Sequence, residues 1–346
     1  MSKYVRCDVG ADFSKFEGRL TLSKGDQFRL MSNVTDMSKA RVVIDAATNV
    51  GHYQGGSGNA ATATTRIGAL SSTATDAVLG GANSTWQIGA LGEDTQFKGL
   101  LTARSIVKEG KGKLTLTNTG HTSPIIVNGG ILDMFNSSAT QMTTGLLTVR
   151  AGGMLAGTGL LQAVTVLKGG VIRGGSSTVS AGSLRIKGNL TLQEGAVVRV
   201  QMGSISGNTR LAVSGNISHQ QDTLLVVVPA MRHLQEGEEI QVFDAGFASA
   251  TGDVIVACES TDIYEFDTSL LNTQGKLVVK RAVLGINDVI SDDAVVDVFT
   301  SQGVLLRSSV RHADALRDLP AGVYVVSYRD GEGRVYGYKA TKRTIK

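Results

Sequence analysis

Four carboxylates, Asp253, Asp262, Glu265 and Asp267, cluster in one short stretch of the chain. Grouped oxygens of this kind could hold a Ca²⁺ ion, which takes six to eight of them, or hydrogen-bond a sugar. Their flanking sequence reads more simply as turns and surface. Glycoside hydrolysis needs two carboxylates facing one bond, and residues 101–200 contain only Glu109, Asp133 and Glu194. The five histidines, His52, His121, His219, His233 and His312, are expected on separate loops, with no serine or cysteine partner at a suggestive spacing. Trp86 is the one tryptophan. It could stack on a sugar ring, although filling the core beside Ile88 is the simpler role. Cys7 and Cys258 lie too far apart in sequence for a disulfide to be expected in an elongated protein. No catalytic residue, cofactor site or metal site is therefore assigned.

The elements that would position these groups are strands. The chain of 346 residues contains 43 glycines but only 3 prolines, which excludes collagen-like and proline-rich disordered chains. Hydrophobic residues make up 42% and aromatic residues 5%, a composition suited to a narrow core of Val, Ile, Leu and Ala. Serine and threonine alternate with those apolar residues, the period-2 signature of a strand. The net charge of +4 is not concentrated into a stripe, so nucleic acid is not an expected partner. The ten Lys and Arg of residues 101–200 leave a polyanionic glycan as a weak possible partner. No stretch is long and apolar enough for a membrane span. Residues 1–6 lack the apolar core of a signal peptide, so the expectation is either a cytoplasmic protein or the C-terminal piece of a longer exported one, a choice the repeats below decide for the second.

A repeat organises the strands. Ile126-Val127-Asn128-Gly129-Gly130-Ile131-Leu132 returns as Val149-Arg150-Ala151-Gly152-Gly153-Met154-Leu155 and as Val166-Leu167-Lys168-Gly169-Gly170-Val171-Ile172. A degraded copy, Leu192-Gln193-Glu194-Gly195-Ala196-Val197-Val198, follows. The spacing fits one coil of a parallel β-helix, roughly twenty residues per turn. Gly129, Gly130, Gly152, Gly153, Gly169 and Gly170 are then corner residues, where positive φ is needed. No helical pattern follows them, which argues against a phosphate cradle. Gly157-Thr158-Gly159 reads as another corner. Looser echoes pair Ile67-Gly68-Ala69-Leu70 with Ile88-Gly89-Ala90-Leu91, and Phe16-Glu17-Gly18 with Phe97-Lys98-Gly99. About a dozen coils are expected up to residue 200, with thin coils and protruding loops over 48–83.

Three regions follow: a β-helix over 1–204, its closing coils and cap over 205–280, and a small antiparallel β-sandwich over 283–346. In the last, Ala294–Phe299 and Gly303–Arg307 are expected to pair around Thr300-Ser301-Gln302-Gly303, and residues 329–333 to form a second turn. The tyrosines 324, 328, 336 and 338 are expected between its sheets.

Lys111-Gly112-Lys113-Leu114-Thr115-Leu116-Thr117, running into Ile126–Leu132 and on to Leu155-Ala156-Gly157-Thr158-Gly159, resembles the autotransporter-associated β-strand repeat. That resemblance covers roughly 105–200 and implies a right-handed parallel β-helix that is exported and displayed. Asn208–Gly215 looks like the closing region common in such proteins. Val296-Asp297-Val298-Phe299, Gly303-Val304-Leu305, Leu319–Val326 and the basic Lys339–Arg343 are similar to the sorting domains of the Bacteroidetes type IX secretion system. Here Tyr336-Gly337-Tyr338-Lys339 replaces the commoner apolar run. This second resemblance implies outer-membrane transit by secretion machinery that reads the C-terminal region. Together they lead us to expect a secreted or outer-membrane, adhesin-like scaffold without catalysis, whose partner is a host or bacterial surface glycan or protein. The competing expectation is a carbohydrate-binding or polysaccharide-degrading, pectate-lyase-like β-helix.

Overall fold

The computed structural model describes residues 6–23, 27–32, 34–45, 48–52, 62–176, 181–244, 246–283, 290, 292–329 and 335–342. The chain divides into two compact units, Met1–Val164 and Thr165–Lys346. The fold is a parallel β-helix with an antiparallel sheet at its C-terminal end.

In the first unit each coil runs through strands on up to three faces. The first face stacks Arg19–Ser23, Val34–Asp45, Ala63–Ser71, Ser84–Ile88, Ser105–Lys108, Ile125–Val127 and Leu147–Val149, all parallel. The second stacks Thr95–Phe97, Lys113–Leu116, Gly130–Met134 and Gly153–Gly157. The third stacks Arg6–Val9, Gln27–Leu30, Asn49–His52, Val78–Leu79 and Leu100–Leu101. The register explains the repeats. Ile67 lies opposite Ile88, Val127 opposite Val149 and Leu132 opposite Leu155. Each inward position therefore forms a column of like side chains, and Ile106, Ile125 and Leu147 are all buried. Such a side chain contributes roughly 2 kcal/mol by leaving water.

The two glycines of each pair have different tasks. Gly130, Gly152 and Gly169 adopt positive φ, whereas Gly129, Gly153 and Gly170 do not. Gly153 is required for space, since a Cβ there would lie 2.4 Å from the Val127 carbonyl oxygen. Two expectations need correction. The echo of Phe16 and Phe97 is not a coil repeat, because Gly18 precedes a first-face strand and Gly99 a third-face strand. Phe97 is buried and Phe16 exposed. The two earliest coils are also longer than several of the later ones, which keep the expected spacing: Leu20 pairs with Val42, and Val42 with Leu70. Fewer than a dozen therefore fit before residue 200. Of the segment 48–83, residues 53–61 lie outside the described residues.

In the second unit the coils run through Leu190–Leu192, Asn216–His219 and Ser249–Thr251 on one face. Another face carries Val171–Ile172, Val197–Gln201, Asp222–Val227 and Val254–Glu259. A third pairs Gly182–Ile186 with Thr209–Val213. The antiparallel sheet then runs in the order Glu239–Gln241, Lys276–Val283, Ile263–Asp267, Val335–Lys342, Gly322–Arg329, Val295–Thr300 and Leu305–Arg311. A single helical turn, Leu271–Gln274, precedes Lys276.

The antiparallel strands expected after residue 283 are present, and Val295–Thr300 pairs with Leu305–Arg311 as expected. The turn at 330–334 and the basic end at 343 lie outside the described residues. These strands do not form a two-sheet sandwich of their own. They join one sheet with Ile263–Asp267, through Tyr264 opposite Gly337. One side of that sheet packs on the β-helix, where a Cβ on Gly337 would stand 2.8 Å from the Cys258 nitrogen. The other side buries Val296, Val298, Tyr324 and Val326 beneath Ala315, with Tyr328 and Tyr338 packed against them. The second layer of the expected sandwich is thus supplied by the solenoid.

Candidate functional site: a polar groove on the β-helix

Alternation along Val34–Asp45 points Val42 and Ile44 into the core and Arg41 outward. One coil earlier Arg19 occupies the same column, directly opposite Arg41 in the parallel ladder. Beyond Ser84–Ile88 the chain turns a corner, in which the Gly92 N–H, at a φ of +69°, donates to the Gly89 carbonyl. The corner delivers Glu93 and Asp94 to the same surface. The Arg41 guanidinium takes both Glu93 carboxylate oxygens, with Nε 3.0 Å from Oε2 and Nη2 on Oε1. This charge-assisted fork raises the Arg41 pKa. Asp94 accepts the Lys113 backbone N–H at 2.7 Å, and Thr73 donates to Asp45 at 3.2 Å.

Around these groups lies a groove of about 330 Å³, lined also by Ser71, Ser72, Thr95 and Gln96. It offers hydroxyls, an amide, two arginines and two carboxylates in one concavity. That mixture can exchange hydrogen bonds with the hydroxyls of a saccharide. Sequence reasoning missed this site because Arg41 and Glu93 are 52 residues apart. Only the coil register brings them together.

The residues singled out from sequence lie elsewhere. Trp86 is fully buried and its Nε1–H donates to the Gly80 carbonyl at 2.9 Å. A glycan contact at Trp86 is therefore set aside, since no ring face is open to a sugar. His52 lies beside that ring and on no loop: it ends a strand, with Nδ1 2.7 Å from the Ser84 hydroxyl and Nε2 2.8 Å from the Thr65 hydroxyl. The expectation of no serine partner is corrected there. Burial pushes the His52 pKa down to about 4. His121, also buried, accepts the Leu101 N–H at Nδ1, and burial holds its pKa at about 4.

In the second unit His219 ends the strand Asn216–His219 and is fully buried 2.9 Å from Asp222. Desolvation raises the Asp222 pKa, partly offset by that histidine. His233 is half-exposed, with Nδ1 2.6 Å from Asp262, which also accepts the Tyr264 hydroxyl at 2.8 Å. His312 contacts the Tyr338 hydroxyl, whose pKa burial raises to about 12.

The carboxylates suspected of binding Ca²⁺ are used separately. Asp262 is buried in the pair just described, Glu265 meets Lys280 at 3.0 Å, and Asp267 accepts the Ser269 N–H. Asp253 is exposed. Glu109 lies 3.5 Å from Arg66, Glu194 pairs with Lys168, and Asp133 is buried in its strand. Among the described residues no three His, Cys, Asp or Glu side chains gather as metal ligands would. Cys7 is exposed and Cys258 buried, and both are free thiols. Among the described residues no helix is long and apolar enough to cross a membrane.

The fold defines the class: a parallel β-helix with an antiparallel terminal sheet and a polar groove on its coils. No family model matches the chain, and no curated protein matches it either.

Proposed function

We propose that the chain is a non-catalytic, adhesin-like scaffold of the bacterial surface, in which stacked coils present outward side chains to a surface glycan or protein. The observation that carries this reading is the division of labour along each strand. Inward residues form continuous buried columns, while outward polar residues face one another between neighbouring coils, as Arg19 does Arg41 and Arg66 does Gln87. A framework of this kind holds a broad contact surface without depending on any one loop.

The groove at Arg41 and Glu93 favours a saccharide as the ligand. Arg41→Ala leaves the buried columns untouched and removes the fork. Binding of the purified protein to a glycan array, with loss of the same signals in Arg41→Ala, is the expected result. Release of unsaturated or reducing sugars from polysaccharides on that array would replace the scaffold reading with an enzymatic one. We further propose export to the outer-membrane surface with residues 283–346 acting as the sorting signal, supported by the residues Val296–Phe299 and Leu319–Val326. Deleting 283–346 is expected to abolish surface labelling in a type IX-competent cell, and unchanged labelling would reject that role.

A further inference from the structure

The outer side of the terminal sheet is covered by the chain that follows Leu305–Arg311, a 3₁₀ turn at His312–Asp314 and the residues after it. Ala315 packs there on Val296, Val298 and Val326. The cover is thinner over the strand Val335–Lys342, where Tyr338 and Ala340, like Leu316 of the cover itself, are only half-buried. Sheet and turn enclose a groove of about 570 Å³ between them. Ala313, Ala315, Leu316, Val326 and Ala340 give it an aliphatic lining, and both the size and the lining are those of a small-molecule site.

The charged groups around that lining are of one sign. Arg317 and Lys342 border the groove with His312, and among the described residues that line it none is acidic. Arg317 is paired with Asp314, which meets its charge. Lys342 has no carboxylate partner among the described residues. Its ammonium reaches from the sheet to the turn and donates to the Leu316 carbonyl at 2.8 Å, a dipole that leaves the positive charge uncompensated. His312 adds a second polar group in want of a partner. Its Nε2 contacts the Tyr338 hydroxyl, whereas its Nδ1 is buried and makes no hydrogen bond. Buried polar atoms are nearly always paired, so Nδ1 is a hydrogen-bonding group available to a ligand. A phenol donating to Nε2 leaves the ring proton on Nδ1, which then takes an acceptor.

We propose that this groove binds a small aliphatic carboxylate, whose negative head meets the Lys342 ammonium while its hydrocarbon lies over Ala313, Ala315 and Ala340. A charge-assisted hydrogen bond of this kind fixes the head, and burial of the chain supplies the rest of the affinity. The bridge from Lys342 to Leu316 spans the groove from sheet to turn. A strand or helix of another protein would have to displace it, whereas a single hydrocarbon chain lies beside it. The inference does not depend on the glycan groove of the first unit.

Three of the lining residues are alanines, so the full chain with isotope-labelled alanine methyls reports occupancy directly. Titration with hexanoate at neutral pH is expected to move the methyl signals of Ala313, Ala315 and Ala340 together, saturating in the millimolar range. The buried Ala156 of the β-helix is expected to stay where it is. 1-Hexanol, the same chain without the charge, is expected to bind about tenfold or more weakly. Lys342→Gln is expected to weaken hexanoate about tenfold or more and to leave hexanol unchanged, which shows that its groove is intact. Ala340→Leu fills the floor and is expected to weaken both ligands. Absence of saturable shifts at the three alanines overturns the proposal, as does equal affinity for hexanoate and hexanol. Shifts at the same alanines with phosphatidylglycerol vesicles but not with hexanoate also overturn it, and make the groove a membrane contact.

Discussion

Lys108 ends the strand Ser105–Lys108 with its side chain inside the β-helix and its ammonium among carbonyl oxygens. Gly129 lies 3.0 Å from Nζ and Gly110 3.2 Å, so two successive coils share one cation. Burial still dominates and lowers the Lys108 pKa to about 8, although Asp94 and Glu109 oppose the shift. The unfolded chain keeps its proton up to about pH 10.4. Between those values the unfolded state binds more protons, so this group makes stability rise with pH across that window. His52 and His121 act at the other end. Both are neutral when folded, with pKa values of about 4, and they bind protons first in the unfolded chain, near pH 6.5. As pH falls from 6.5 to 4 they remove stability, up to about 3 kcal/mol each. The urea midpoint measured against pH is expected to slope downward over that acid window and less steeply in His121→Gln. Lys108→Met is expected to flatten the alkaline rise. A parent profile flat from pH 4 to 7 would contradict the neutral buried histidines.

At the scale of elements, the terminal antiparallel sheet is fastened to the solenoid by contacts that include some that can be broken singly. Glu259 on the strand Val254–Glu259 lies 3.6 Å from Arg199 and 3.8 Å from Lys339. Arg199 also donates to the Ser301 carbonyl at 2.7 Å, in the turn before Leu305–Arg311. Arg199 and Glu259 are mostly buried, so removing one charge leaves the other without compensation. Glu259→Gln is expected to cost about 2 kcal/mol. Gly337→Ala is expected to cost at least as much, because its Cβ would meet backbone and not a movable side chain. In both variants hydrogen exchange is expected to rise in Gly322–Arg329 and Val335–Lys342 before it rises in Val197–Gln201. Simultaneous loss of protection in all three strands would show that sheet and coils unfold as one.

The difference between what could be read beforehand and what could not is visible in these same elements. Gly129-Gly130 and its successors mark corners because a positive φ is a local demand, written where it acts. Alternation in Lys113-Leu114-Thr115-Leu116 likewise identifies a strand without knowledge of its neighbours. The position of Gly337 against Cys258 needed the docking of distant strands, and the expected sandwich failed for want of it. Histidines on strands were read as loop residues because polarity alone suggests solvent. His52 is instead satisfied by Thr65 and Ser84, hydroxyls that only coil register brings to it. The groove was invisible for the same reason, since Arg41 and Glu93 meet two coils apart.

Across the whole molecule, each coil gains its stability from the coils above and below it. A terminal coil has one neighbour and an inner coil has two, so local opening should be least costly at unpaired edges. In the first unit, amides of Arg6–Val9 and Arg19–Ser23 are expected to exchange fastest, and those of Ser84–Ile88 and Ser105–Lys108 among the slowest. In the second unit, Leu305–Arg311 ends its sheet and exposes most of its residues, so its outward amides are expected to exchange quickly. There Ser309, at a φ of +55°, and the irregular register against Val295–Thr300 loosen the pairing further. Exchange followed strand by strand checks this order. Equal rates in Arg6–Val9 and Ser84–Ile88 would mean that the coils of the first unit open together.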